Sequence, residues 1–174
     1  MNAMAEEIRT GRLVLRRLAE SDRGLLLKIW NDPDFIRFVC DRGIRTENQA
    51  LEAMREGVLL LWAEHGFGPY RVALADSGEA IGICGLFKRP QLDEPDIGYA
   101  LLPQYCGNGY ALEAAAAVRD FARDGMKLKR IAAIVSPEHE KSIHLLEKLG
   151  MSPEGPIRMA GEEQDTLLYS MALD

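Results

Sequence analysis

Leu13 and Leu15 alternate with polar neighbours between Arg12 and Arg17, the period of a half-buried strand. Glu20-Ser21-Asp22 then supplies capping residues for a helix whose apolar positions are Leu25, Leu26, Ile29 and Trp30, and Asp32-Pro33 ends it. Leu51, Met54 and Val58 recur at helical spacing, which predicts a second helix from Thr46 to about Leu61. The period then shortens. Residues 70–75 and 80–87 read as two strands joined by the turn Asp76-Ser77-Gly78-Glu79, a hairpin signal. Another strand is expected at 96–102, after the loop Asp93-Glu94-Pro95.

Beyond it, helix and strand patterns alternate. Residues 108–124 place Ala111, Ala114, Ala115, Val118, Phe121 and Ala122 on one helical face, with Gly125 as the stop. Residues 130–135 read as a strand. Ser136-Pro137-Glu138 reads as the start of a helix that buries Ile143, Leu146 and Leu149 and ends at Gly150. Residues 165–172 close the chain as a strand. The order predicts an α/β fold, or α+β, around a mixed sheet. A single domain is expected over residues 8–174, with residues 1–7 set aside as a flexible leader.

Composition narrows the classes. A length of 174 residues suits one domain with a sizeable core. A net charge of −6 argues against nucleic acid as partner, since such proteins usually present a basic face. The start, MNAMAEEIRT, carries acids and no apolar stretch of the signal-peptide kind. The longest apolar run, Val58 to Ala63, is too short to span a bilayer, so no membrane partner is expected. Cys40, Cys84 and Cys106 are odd in number and lack CxxC spacing; a reducing, cytoplasmic location fits them. His65, His139 and His144 form no HxxxH pair, so no metal is expected.

The informative segment is Leu101-Leu102-Pro103-Gln104-Tyr105-Cys106-Gly107-Asn108-Gly109-Tyr110-Ala111. A strand ends, a glycine-bearing loop follows, and a helix begins at once. Such a loop turns backbone N–H groups toward one point, and the helix start adds unpaired donors and a positive dipole end. Gly107 and Gly109 admit an anion close to the backbone, a site suited to a pyrophosphate. The GxxxxGK[ST] phosphate loop is absent. The dinucleotide fingerprint GxGxxG fails for want of its third glycine, and this loop follows several strands rather than the first.

The segment resembles the [Q/R]xxGx[G/A] motif of the GNAT family of N-acetyltransferases, matched by Gln104, Gly107 and Gly109. Asp96-Ile97-Gly98-Tyr99 resembles the family's strand signature. Arg12 to Arg16, Pro137 to Ser142 and Leu146 to Gly150 resemble signatures of the ribosomal-protein alanine acetyltransferase subgroup. The resemblance implies a central twisted mixed sheet with helices on both faces. It implies acetyl-CoA as cosubstrate and an amine acceptor, either a protein N-terminus or a small molecule. By the same resemblance, the backbone from Gln104 through Gly107, Asn108, Gly109, Tyr110 and Ala111 holds the pyrophosphate. Leu101 and Leu102 pair with the pantetheine arm, and the helices between Ser21 and Leu61 wall the acceptor site.

Asp96 is implied as the base for the amine, with Glu94 as its rival, and Ser142 as the group beside the thioester. An acyl transfer to an amine requires such a proton acceptor. Two departures stand out: His139 replaces a family asparagine that binds the pantetheine arm, and Leu146 stands where many members carry a tyrosine acid. That second departure keeps a non-catalytic acyl-CoA-binding module as the alternative reading. Self-association as a homodimer is left open.

Overall fold

The computed structural model describes residues 6–174. Residues 1–5 of the expected leader lie outside the described residues, whereas Glu7 already belongs to the sheet.

Strand β1 (Glu7–Arg9) pairs antiparallel with β2 (Leu13–Arg17), whose Leu13 and Leu15 are fully buried as their alternation predicts. A 3-10 turn at Glu20–Asp22 leads into α1 (Arg23–Trp30). Pro33 both stops α1 and opens α2 (Pro33–Phe38), a short helix the periodicity did not show; proline is well suited to a first helical turn. The helix expected from Thr46 to Leu61 is two: α3 (Glu47–Glu56) and α4 (Val58–His65). They are broken at Gly57, whose φ of −129° and ψ of −96° are not helical. Thr46 caps α3 by accepting from the Gln49 N–H, with Gln49 reaching back to the Thr46 N–H.

Then come β3 (Pro69–Leu74), β4 (Ala80–Phe87) and β5 (Asp96–Leu101), α5 (Tyr110–Asp124), β6 (Arg130–Val135) and α6 (Glu140–Leu149). The chain closes with β7 (Ser152–Ile157) and β8 (Thr166–Ala172). Among the described residues these strands form one eight-stranded sheet in the order β1-β2-β3-β4-β5-β6-β8-β7. Every neighbouring pair is antiparallel except β5 and β6. The sheet is therefore mixed, as expected.

Helices cover both faces. On one, the alanine stripe of α5 (Ala114, Ala115, Val118, Ala122) packs with Leu146 and Leu149 of α6 against Cys84, Leu86, Ile97, Ile131 and Ala133. On the other, Leu26, Ile29 and Trp30 of α1 and Ala50 and Met54 of α3 pack against Ile83 and Leu102. Each fully buried leucine contributes roughly 1.5–3 kcal/mol through removal from water, so both helical layers are held by their apolar stripes. No helix of the described residues is long and apolar enough to cross a membrane.

Candidate active site

The parallel junction between β5 and β6 pairs at one register position only, Asp96 with Ala132, where the Ala132 N–H donates to the Pro95 carbonyl at 3.0 Å. Beyond it the two strands diverge and leave a wedge. The Leu102 N–H donates to Ile81 on the β4 side at 2.8 Å. Alternation along a strand then turns the backbone groups of Gly98 and Ala100 to β4, and those of Ile97, Tyr99 and Leu101 toward the wedge. Leu101 thus turns its backbone groups toward the wedge. Leu102 does not: its N–H is committed to Ile81 and its side chain lies in the core beside α1 and α3.

The wedge opens toward the start of α5. Gln104 to Gly109 form the connecting loop, with a 3-10 turn at Pro103–Tyr105 and Gln104, Gly107 and Asn108 exposed. Gly107 and Gly109 adopt φ values of +83° and +82°, the left-handed region that disfavours any Cβ. Nothing lies within 4 Å of where a Gly107 Cβ would sit. Gly109 is the N-cap and offers no side-chain acceptor, and the first closing bond of α5 runs from the Glu113 N–H to the Gly109 carbonyl. Tyr110, Ala111 and Leu112 therefore keep N–H groups that the helix cannot satisfy. An open cradle of uncapped donors fits the pyrophosphate of acetyl-CoA.

Arg12, which the sequence reading left without a role, completes this end. Its Nη1 donates to the Asn108 carbonyl at 3.0 Å, its Nε to Glu113 Oε1 at 2.8 Å, and its guanidinium lies 4.4 Å from the centre of the Tyr110 ring. Glu113 also accepts from the Arg12 N–H and the Thr10 hydroxyl. Burial opposes ionisation of Glu113, but these donors outweigh it and hold its carboxyl below the ordinary value. Arg12 thereby offsets an acid in the first turn that would otherwise repel an anion.

At the apex, Asp96 is only 1% exposed. Its Oδ2 accepts from Arg89 Nε at 3.0 Å, while Oδ1 is buried with no partner among the described residues. Burial pushes its carboxyl above the ordinary value although Arg89 pulls the other way. An acceptor oxygen left unsatisfied in the interior costs about 1–3 kcal/mol. Glu94, the rival base, is part exposed and lies 3.9 Å from Arg130.

Ser142 stands on the first turn of α6 with its Oγ 2.7 Å from the Tyr99 hydroxyl of β5. Tyr99 was quoted in the strand signature but given no role. A tyrosine between Ile97 and Leu101 on a core-facing strand needs a partner for its hydroxyl, and that was the available signal. Burial pushes the Tyr99 phenol up to about 12. His139 is the N-cap of α6, so Pro137 lies in the preceding turn and not in the helix. The His139 ring stacks on Phe38 of α2, with centroids 4.1 Å apart and planes within 6°. Leu146, which by the resemblance stands at the family's tyrosine position, is buried in the core.

The family model for the acetyltransferase (GNAT) domain matches residues 12–152. An uncharacterized N-acetyltransferase p20 of Bacillus licheniformis is 30% identical over 88% of this chain and 86% of its own length. An acetyltransferase from Agrobacterium tumefaciens superposes with a TM-score of 0.80 at 29% identity, covering 96% of this chain and 94% of the other. A ribosomal L7/L12 alpha-N-protein acetyltransferase in complex with coenzyme A shares the fold, with a TM-score of 0.82 at 19% identity over 97% and 99% of the two chains. The chain belongs to the GNAT family: it is an acetyl-CoA-dependent acyltransferase.

Proposed function

We propose that the chain transfers an acetyl group from acetyl-CoA to a primary amine, carried by a protein N-terminus or a small molecule, at the wedge between β5 and β6. The observation that carries the reading is the alignment of three features along that wedge: uncapped donors at the start of α5, the unpaired edge of β5, and a buried carboxylate with an unpartnered oxygen at the apex. The buried carboxylate favours an enzyme over a binding module, because an unpaired interior oxygen does nothing for binding a thioester.

Acetyl-CoA supplies an acyl group on a good leaving group. The chain's own residues do the rest. The backbone of Gly107, Asn108, Gly109, Tyr110 and Ala111 holds the pyrophosphate, and Gln104 stands at the loop's entrance. The edge of Leu101 and Tyr99 holds the pantetheine arm, and an N–H on that edge stabilises the oxyanion. Asp96 takes the proton of the amine, directly or through one water. Ser142 faces the departing sulfur, and His139 contributes the stacked surface it shares with Phe38. Holding the two reactants together replaces a costly encounter, and this is the main source of rate. Three unbridged cysteines suit a reducing, cytoplasmic setting.

The test is thiol release from acetyl-CoA against a panel of peptides with free N-termini, amino acids and polyamines, alongside calorimetry with acetyl-CoA. The reading requires saturable binding of acetyl-CoA and turnover with at least one amine class. Binding without turnover on any amine would return the chain to the binding-module alternative.

A further inference from the structure

Ser142 stands on the first turn of α6, where the carbonyl four residues earlier, that of Glu138, lies outside the helix. Its Oγ reaches instead across to the Tyr99 hydroxyl of β5 at 2.7 Å. The Tyr99 hydroxyl also lies 3.3 Å from the Ser142 carbonyl, so both atoms it approaches belong to one residue. The pair bridges β5 to α6 on the face of the sheet covered by α5 and α6. Either hydroxyl can donate in this pair; the Ser142 carbonyl can only accept, and with the phenol as the stronger acid we take the Tyr99 proton as shared between the two Ser142 oxygens. With Tyr99 donating, no partner for the Ser142 proton is present among the described residues.

We propose that Tyr99 is the positioning residue that turns the Ser142 proton toward the sulfur of coenzyme A. It fixes Oγ by donating to it, and the two hydroxyls form a short chain ending on the leaving thiolate. Hydrogen bonds in series polarise one another, so the Tyr99 bond strengthens the one from Ser142 to the sulfur. No covalent bond forms to either hydroxyl and neither loses its proton. The sulfur departs as a thiolate, stabilised by a charge-assisted hydrogen bond. The assignment rests on the reading of the wedge as the coenzyme A site. It explains how a member with Leu146 at the tyrosine position still presents a hydroxyl to the leaving group.

The experiment titrates the thiol of bound coenzyme A, so it needs no knowledge of the acceptor. Thiolate absorbance of saturating coenzyme A is followed against pH in the wild type, Tyr99→Phe, Ser142→Ala and the double variant. Loss of a hydrogen bond to a charged group is expected to raise the bound thiol's pKa by about one unit in Ser142→Ala. Tyr99→Phe should produce a smaller rise, and the double variant no more than Ser142→Ala alone. With an active amine, Tyr99→Phe should lower kcat roughly five- to thirtyfold while acetyl-CoA affinity by calorimetry stays within about twofold.

A packing role alone would change affinity or melting temperature and leave the thiol pKa where it was. Unchanged thiol pKa in Tyr99→Phe, or additive shifts in the double variant, overturns the proposal while leaving the coenzyme A site intact. Should Tyr99→Phe fold poorly, Ser142→Ala on the part-exposed helix and a Ser142→Thr rescue decide it: Thr must restore the wild-type thiol pKa. Absence of coenzyme A binding in the wild type would overturn the site reading itself.

Discussion

Asp96 is the residue at which local rules of stability are most plainly broken. Its burial raises the carboxyl's pKa, and the Arg89 partner only partly offsets this. A raised carboxyl keeps its proton above the ordinary value near 3.9, and a base must be ionised. The rate should therefore rise with pH through that raised value, and Asp96→Asn should abolish this limb and lower turnover roughly ten- to ten-thousand-fold. The stability sign is opposite. Folding favours the protonated form, so the stability this group gives is fully present below the unfolded value near 3.9 and is lost as pH rises from there through the raised folded one. Asp96→Asn should consequently melt no lower than the wild type at neutral pH. Full turnover in Asp96→Asn beside a loss in Glu94→Gln would transfer the role to Glu94. Leu146 invites the converse experiment. Because its side chain is buried in the core, Leu146→Tyr should not gain an acid and should cost about 1–3 kcal/mol through overpacking; a gain in turnover at unchanged melting temperature would refute this. The sequence named Asp96 and Ser142 but not Arg12 or Tyr99, because the partners that define those two, Glu113 and Ser142, come from distant parts of the chain.

The elements show the same division. Alternation located β2 and helical spacing located α5, since each buries one regular face, whereas β6, buried on both faces, shows as a short apolar run rich in β-branched residues. They failed where a single residue overrides the period: Gly57 breaks one predicted helix into α3 and α4, and Pro153 and Pro156 disguise β7 as a loop, proline being tolerated on that edge strand. At α5 the glycine loop was legible because left-handed turns and helix starts leave local signatures. Gly107 tests it. Open space surrounds its absent Cβ, so backbone strain alone limits substitution. Gly107→Asn should be tolerated better than Gly107→Val, and Val should cost about 1–2 kcal/mol and weaken acetyl-CoA binding more than Asn does. Equal affinity across the series would place the pyrophosphate elsewhere. Glu113 carries a pH signature of its own. Its carboxyl is held low, so the stability it gives is present above the unfolded value near 4.3 and lost as pH falls through the folded one. Glu113→Gln should flatten that acid limb in melting temperature against pH; an unaltered limb would mean that the Arg12–Glu113 tether adds nothing to the fold.

At the scale of the whole molecule, the wedge divides the sheet into two antiparallel blocks, β1 to β5 and β6-β8-β7, which among the described residues meet in strand pairing only near Asp96 and Ala132. Packing and a few side-chain bonds join them further: α5 and α6 span them on one face, Tyr99 bonds to Ser142 and Glu94 faces Arg130, and the Phe38 and His139 rings join α2 to α6. Burial lowers the pKa of His139, although Asp34 opposes it. Its neutral form thus dominates at neutral pH, and the stability the neutral ring gives is present above the ordinary value near 6.5 and lost as pH falls through the lowered folded one. A cosubstrate that fills the wedge replaces missing strand pairing, so its binding should be felt across both blocks. At one hundred times its Kd it should add about 2.7 kcal/mol to stability, or roughly 5–10 °C in Tm for a chain of this size. The more discriminating readout is amide exchange along β5. Gly98 and Ala100 turn their N–H groups to β4, where the antiparallel register pairs them with Gly85 and Ile83. Tyr99 and Leu101 turn theirs to the wedge. In the protein alone the Gly98 and Ala100 amides should therefore exchange slowly, and those of Tyr99 and Leu101 faster. Saturating coenzyme A should slow Tyr99 and Leu101 selectively, because the pantetheine arm carries amide groups able to accept from that edge. Uniform slowing along β5 would report general stiffening, and no slowing at Tyr99 or Leu101 would show that the arm does not lie along the strand.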